Sequence, residues 1–494
     1  MSSCPRDSAG TPTRADGGRG RRSATSPCRC CRRWWTRPWP SCEGAVGSIE
    51  SAFFGHHEAD PRALLFYEWC QRRESGYAVD DFTEEVYELS RVERPLEKAC
   101  WRLLERIESA APLPDWPYVE WRDVNAPGAV DDSRPRVEAP ALPPDELFDR
   151  IHGGWLGRCA GCTLGKPLEN GFVWTPARIR DYLEPAGGYP LRDYVPVRDP
   201  MPEGIELHWT WPESTRDRID GCPRDDDLDY TILGLHLLEQ HGPDFTPDDV
   251  ASLWLERLPF LQTYTAERVA YRNLIDGYTP PDTATFRNPY REWIGALIRA
   301  DIHGYTNPGD PARAAALAAR DASISHVGNG SWAAQWAAAL VAAAFTADSP
   351  HTALTTAQRF VPERSRLAAG LSEVLEDHRR GFPWEHSNAA IRARYGRYNW
   401  VHAIGNACCI AAGLLWGEGD FTRTIGLTVQ AGWDTDSNGA TAGSVAGILT
   451  GASRIPARWT APLHDRLRSA VTGYDGSSIS DLAGRTRDLA VRFG

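Results

Sequence analysis

The stretch Ala431-Gly432-Trp433-Asp434-Thr435-Asp436-Ser437-Asn438-Gly439-Ala440 sets two carboxylates two residues apart and follows them with a hydroxyl. Small residues then run to Ala452, punctuated by Gly443, Gly447 and Gly451. Chemically this is a short loop of oxygen ligands ending at a helix N-terminus. Acids belong there because the first N–H groups of a helix lack partners and that end carries partial positive charge. Glycine at every fourth position leaves one helix face nearly bare, so another helix can approach closely. A second acidic knot, Arg224-Asp225-Asp226-Asp227-Leu228-Asp229-Tyr230-Thr231, again opens an apolar helix-like run, here to Leu238. The two loops are expected to meet and to share divalent metal.

A third stretch carries the same small-residue rhythm. Glycines at 153, 157, 161 and 165 lie every fourth residue in Gly153-Gly154-Trp155-Leu156-Gly157-Arg158-Cys159-Ala160-Gly161-Cys162-Thr163-Leu164-Gly165-Lys166-Pro167-Leu168-Glu169. A phosphate-cradling GxxxxGK[ST] loop is excluded, because Pro167 follows Gly165-Lys166. Tight helix packing is the reading of these glycines. Glu169, placed after the helix and its proline, faces whatever lies at the helix end.

The chain has 494 residues, a net charge of -12 and a hydrophobic content of 42%. That is ample material for a core, and it argues against non-specific nucleic-acid binding, which rests on a basic surface. The 12 cysteines show no disulfide framework, and Cys28, Cys30 and Cys31 lack the spacing of a zinc knuckle. This suits a reducing, cytoplasmic compartment. The apolar run Ala407–Trp416 is far shorter than the ~20 residues a bilayer requires, so no membrane partner is expected.

Residues 1–44, rich in Arg, Pro, Gly, Ser and Cys, read as a disordered leader. Residues 45–110 read as a small helical module, because Ala63–Cys70 and Leu96–Ile107 carry apolar residues at three- and four-residue spacing. A Pro-rich connector spans 111–144, and the main domain runs from 145 to 494. Residues 170–222 read as an extended loop with short strands. Beyond Asp225 the helical stretches are 250–258, 293–300, 312–321, 332–347, 389–395, 401–416, 421–431 and 438–451, then a terminal helix with Ser480 as N-cap. No alternating β-branched runs and no fixed-length repeat are seen. The expected fold is mainly α, a compact orthogonal bundle of many helices.

If both acidic loops converge, Asp225, Asp226, Asp227, Asp434 and Asp436 share one pocket. At ~4 Å each like-charge pair costs about 4 kcal/mol at an effective dielectric of about 20, so the pocket needs cations or shared protons. Hard oxygen donors without clustered His or Cys favour Mg²⁺, Mn²⁺ or Ca²⁺ over Zn²⁺. The competing reading of each loop alone is helix capping. The pairing of the loops, neither diluted by lysine, favours metal.

These motifs make the chain resemble the ADP-ribosylglycohydrolase family over roughly 146–460. Gly165-Lys166-Pro167-Leu168-Glu169 is similar to the family's first helix and its acid. Asp225-Asp226-Asp227 stands where the family has Thr-Asp-Asp, and Gly432-Trp433-Asp434-Thr435-Asp436-Ser437 where it has Gly-Gly-Asp-Thr-Asp-Thr. Ser323–Gly330 resembles the segment before its Ala-rich helix. Asp225, Trp433, Ser437 and Cys162 depart from the pattern, which leaves the substrate open. The resemblance implies two Mg²⁺ ions, Mn²⁺ being an alternative, held by Asp225, Asp226, Asp227, Asp434, Asp436 and Ser437. Glu169, Asp226 and Asp227 would be catalytic, with Glu169 as ligand or base. His326, Asn329, Gly330, Gly432 and Trp433 would contact the substrate. The implied reaction is metal-dependent hydrolysis at the anomeric ribose carbon of an ADP-ribose conjugate, with nucleic acid entering only as a modified substrate. Two alternatives stand beside it: a two-metal phosphoesterase and a catalytically silent ADP-ribose-binding relative.

Overall fold

Amphipathic spacing in the first described segment produces three helices, α1 (Pro61–Glu74), α2 (Thr83–Arg91) and α3 (Glu97–Glu108). The computed structural model describes residues 58–120 and 142–493. The expected leader over 1–44, the Cys28–Cys31 cluster and most of the 111–144 connector lie outside the described residues. In α1 the Asp60 side chain accepts from the Arg62 N–H and Pro61 opens the first turn, both standard ways to start a helix. The apolar faces of α1 and α3 close over Phe66, Trp69, Leu103 and Leu104. Ala266, Val269, Tyr290 and Trp293 of the main body complete that cluster, so this module shares its core with the body. Glu68 of α1 anchors it further by accepting from Arg291 at 2.9 Å.

The body is built of helices: α4 (Pro144–Gly165), α5 (Asp226–His241), α6 (Gly328–Ala344), α7 (Arg366–Arg379), α8 (Ala403–Gly417), α9 (Phe421–Gln430), α10 (Thr435–Thr450) and α11 (Ile479–Phe493), with shorter ones between. Among the described residues the only sheet is a pair of two-residue strands, β1 (Arg466–Leu467) and β2 (Ser477–Ser478). The chain is therefore mainly α. No described helix is long and apolar enough to cross a membrane.

At the centre, α4 and α10 run antiparallel with their glycine stripes face to face. A Cβ placed on Gly153, Gly157, Gly161 or Gly165 would collide with the backbone at 447, 443, 439 or 435 respectively. The collisions are reciprocal for Gly447, Gly443 and Gly439. The partner helix expected for the 153–165 stripe is thus the helix of the 439–451 stripe. On another face of α4, Trp155 donates its indole N–H to Thr486 of α11 at 3.1 Å.

Three expectations need correction. The stretch 293–300 is not one helix but breaks into Gly295–Ile298 and Asp301–Tyr305. Arg299 leaves helical geometry between them, and its guanidinium pairs with Glu267 at 2.6 Å and with Asp321. Ser480 does not cap the terminal helix, which already begins at Ile479. Ser478 takes that part, accepting from the Asp481 N–H at 3.2 Å. The 170–222 segment holds helices at Pro176–Leu183 and Trp211–Ser214 in place of the expected short strands.

Candidate functional site

Antiparallel packing brings the C-terminal end of α4 beside the N-terminal end of α10. The two ends are tied where Thr435 Oγ1 donates to the Gly165 carbonyl at 2.8 Å. From Gly165 a single 3-10 turn, Lys166–Leu168, delivers Glu169. On the other side the chain enters α10 through two left-handed residues, Gly432 (φ 72°) and Trp433 (φ 66°). A Cβ on Gly432 would meet the Trp174 carbonyl, so this position has no room for a side chain. Asn406 of α8 then fixes the loop: its Oδ1 accepts from the Asp434 N–H at 3.1 Å and from the Asn438 amide at 2.7 Å. The first turn of α5 arrives from the side. Asp225 is its N-cap and accepts from the Asp227 N–H at 3.0 Å. Arg158 of α4 seats this turn by donating to the Asp227 carbonyl at 2.8 Å.

The result is one acidic pocket with two halves. Ligand oxygens of Glu169, Asp434 and Asp436 lie within 4.8 Å of one another, as do ligand atoms of Cys162, Asp225 and Asp227. Ser437 Oγ joins the halves by donating to Asp227 at 3.2 Å. Lys166 inserts its ammonium among the carboxylates and pairs with Asp225. The mouth is on the Glu169 side, where that carboxylate keeps 28% exposure and His208 Nε2 approaches it at 3.6 Å.

Crowding shapes the protonation of these groups. Burial and the charges of neighbouring acids push Glu169, Asp226, Asp227 and Asp434 well above the usual carboxylate range. Asp225 behaves oppositely. Burial resists its ionisation, but Lys166, then Arg224 and the Asp227 N–H, hold it well below that range. Burial, together with Lys166, lowers the His208 imidazole to about 4. Burial and the facing Asp225 push the Cys162 thiol up, which keeps it protonated. Such a set of oxygen donors, most of them forced towards protonation by one another, fits a hard divalent cation.

Only three exposed large aromatic side chains occur among the described residues: Phe172, Trp209 and Tyr264. Each is linked to this pocket through a neighbouring residue. Phe172 follows Glu169 by three residues and meets Trp400 edge to face at 6.5 Å. Trp209, 77% exposed, adjoins His208, whose N–H donates to the Pro167 carbonyl at 3.0 Å. Tyr264 accepts from Arg224, next to Asp225, at 3.4 Å.

Glu169, Asp225, Asp226, Asp227, Asp434, Asp436 and Ser437 therefore converge; of the expected substrate contacts, Gly432 lies in the loop that leads to Asp434, while His326, Asn329, Gly330 and Trp433 do not join them. His326 is 1% exposed, its Nδ1 is 2.8 Å from Ser325 Oγ, and burial with the charge of Arg299 keeps it neutral. The substrate place expected at Asn329 and Gly330 is filled by a side chain of this chain. The Glu292 carboxylate sits on the N-terminus of α6, accepting from the Asn329 N–H and side-chain amide, both at 2.9 Å. The rest of the Asn329 amide is taken by Glu120 and the Leu367 N–H. A Cβ on Gly330 would strike the Arg291 carbonyl, so that glycine serves packing. Trp433 does not offer a stacking face: it is 3% exposed, with its ring on Gly405 and under Arg392.

Lys166, His208, Trp209 and Arg158 escaped the sequence reading. The signal for Lys166 was its place one turn before Glu169. Trp209 and His208 lie in a loop with no periodicity to mark them.

A family model described as ADP-ribosylglycohydrolase matches residues 143–492. A solved structure described as an ADP-ribosylglycohydrolase-related protein complex shares 20% identity, covering 70% of this chain and 99% of its own, with a TM-score of 0.43. No curated protein matches the chain.

Proposed function

The chain belongs to the ADP-ribosylglycohydrolase family, and from that premise we propose that it hydrolyses the glycosidic bond at the anomeric ribose carbon of an ADP-ribose conjugate. The observation that carries this reading is the meeting of Glu169, Asp434 and Asp436 with the Asp225–Asp227 turn at one end of the α4–α10 pair. Divalent metal, Mg²⁺ or Mn²⁺, would be held by these carboxylates with Ser437 beside them. It would supply Lewis acidity toward ribose hydroxyls and a bound water.

The chain's own groups then have definite tasks. Glu169, at the open edge, accepts the proton of the attacking water. The remaining carboxylates surround an oxocarbenium-like transition state with negative charge. Asp226, half-buried on the α5 turn, lies close enough to Asp225 and Asp436 for their charges to act on it. Trp209, Phe172 and Tyr264 give the mouth flat surfaces on which planar parts of the substrate can stack. Cys100, Cys159, Cys162, Cys222, Cys408 and Cys409 are free thiols, which accords with a cytoplasmic setting.

Incubation with ADP-ribosylated peptides, with and without EDTA, tests the proposal. The expected product is ADP-ribose with intact diphosphate, lost on chelation. Release of phosphate or AMP would instead make the site a phosphoesterase. Tight ADP-ribose binding with no turnover of any conjugate would make it a silent binding protein.

A further inference from the structure

The two halves of the acidic pocket differ in what already neutralises them. In the Asp225–Asp227 half, both oxygens of Asp225 and both of Asp227 have a donor from the chain. Asp225 accepts from the Asp227 N–H and pairs with Lys166. Asp227 accepts from Ser437 at 3.2 Å and stands 3.4 Å from the Arg158 guanidinium. Asp225 thus faces Lys166, and Asp227 faces Arg158, which also pairs with Asp301 at 3.0 Å; both cations are sealed from solvent. The third member, Cys162, is a soft thiol and a poor ligand for a hard ion. In the other half, Glu169, Asp434 and Asp436 face one another within 4.8 Å. Asp434 is 5% exposed, and its carboxyl is hydrogen-bonded to another acid, Asp436. Three facing carboxylates, one of them buried against another acid, repel one another unless they share protons or a cation lies between them.

We propose that the site takes a single divalent cation, held by Glu169, Asp434 and Asp436, and that the Lys166 ammonium is the built-in positive charge of the other half. This rests on the reading that the pocket binds metal at all. Lys166 is placed for the purpose. The 3-10 turn after Gly165 directs its side chain into the pocket, and Asp225, a carboxylate at the N-cap of α5, gives the ammonium a full negative charge to pair with.

Titration of the full chain with Mn²⁺, followed by calorimetry and electron paramagnetic resonance, tests the stoichiometry. The expected result is one ion per chain with the spectrum of an isolated Mn²⁺. That ion should be lost in Asp434→Asn and kept in Asp225→Asn. Removing the ammonium in Lys166→Met should admit a second ion and bring the spectrum of a coupled pair. Two ions in the unsubstituted chain would overturn the inference and leave metal binding standing. A single ion in folded Lys166→Met would overturn the role given to Lys166. No ion in the unsubstituted chain would remove the metal reading itself. The unsubstituted chain decides the stoichiometry even if a variant fails to fold.

Discussion

Lys166 and Glu169 lie on one short turn yet meet opposite surroundings. The lysine is buried against Asp225, while the glutamate stands half-open against Asp434 and Asp436. Position at the mouth is what suits Glu169 to proton transfer. Glu169→Gln should lower kcat on the order of 100-fold or more in steady-state and single-turnover assays at saturating divalent metal; unchanged turnover would take Glu169 out of the reaction. Among the described residues Trp209 has no ring partner beyond its neighbour His208. Stacking is worth about 0.5–1.5 kcal/mol, so Trp209→Ala should raise KM by up to about 10-fold and leave the melting temperature unchanged. An unaltered KM would mean that no planar group rests there. The acidic residues were legible because their spacing is unusual and opens helices. Lys166 was not, since a lysine before a proline reads as a solvated helix end until the turn geometry shows it facing inward. Trp433 misled for the converse reason: its place in the ligand loop suggested a substrate contact, but the left-handed turn points the ring into the core.

The α4–α10 pair positions the site, and its precision comes from missing side chains. In an exposed helix, Gly→Ala stabilises by about 1 kcal/mol. At Gly161 the added methyl would meet the Gly439 carbonyl, and overpacking of this kind costs about 1–3 kcal/mol. Gly161→Ala should therefore destabilise the protein in urea titration and weaken metal binding, because separating the helices moves Glu169 from Asp434. Gly484 of α11 has open space around its Cα, so Gly484→Ala should stabilise by about 1 kcal/mol in the same experiment. Equal effects at the two positions would show that the stripe does not seat the pair. The four-residue glycine rhythm announced such packing in advance. The breaks at Arg299 and Ile479 were illegible, because each depends on a partner distant in sequence: Asp321 and Glu267 for Arg299, and the Ser478 cap with Asp465 for the terminal helix.

At the scale of the whole molecule, the N-terminal module is joined to the body through a buried ion network. Glu292 is its centre, accepting from Gln71 of α1 at 2.8 Å and Arg366 of α7 at 2.5 Å. Burial would raise the Glu292 carboxyl, but Arg366, His402 and the Asn329 donors hold it down to about 2. His402, 3.8 Å from Glu292, is pushed down to about 3 by burial, with Glu292 opposing and Arg366 assisting. The unfolded chain therefore takes up a proton at His402 before the folded one does. Stability should fall as pH drops from about 6.5 toward 3. Below about 4.5 Glu292 adds to the loss, since its folded carboxyl is the harder to protonate. Thermal unfolding across this range should show the fall, and His402→Gln should flatten it between pH 6.5 and 4.5; an unchanged slope would place the acid sensitivity elsewhere. The sequence by itself determined the helical class, the family, the glycine-packed helices and the carboxylates of the site, because periodicity and spacing are local properties of the chain. Only the tertiary structure decided that Lys166 enters the pocket, that Glu292 fills the end of α6, and that His326 and Trp433 are sealed inside. Each of these depends on which distant carboxylate, carbonyl or glycine stands opposite, and sequence separation carries no information about that.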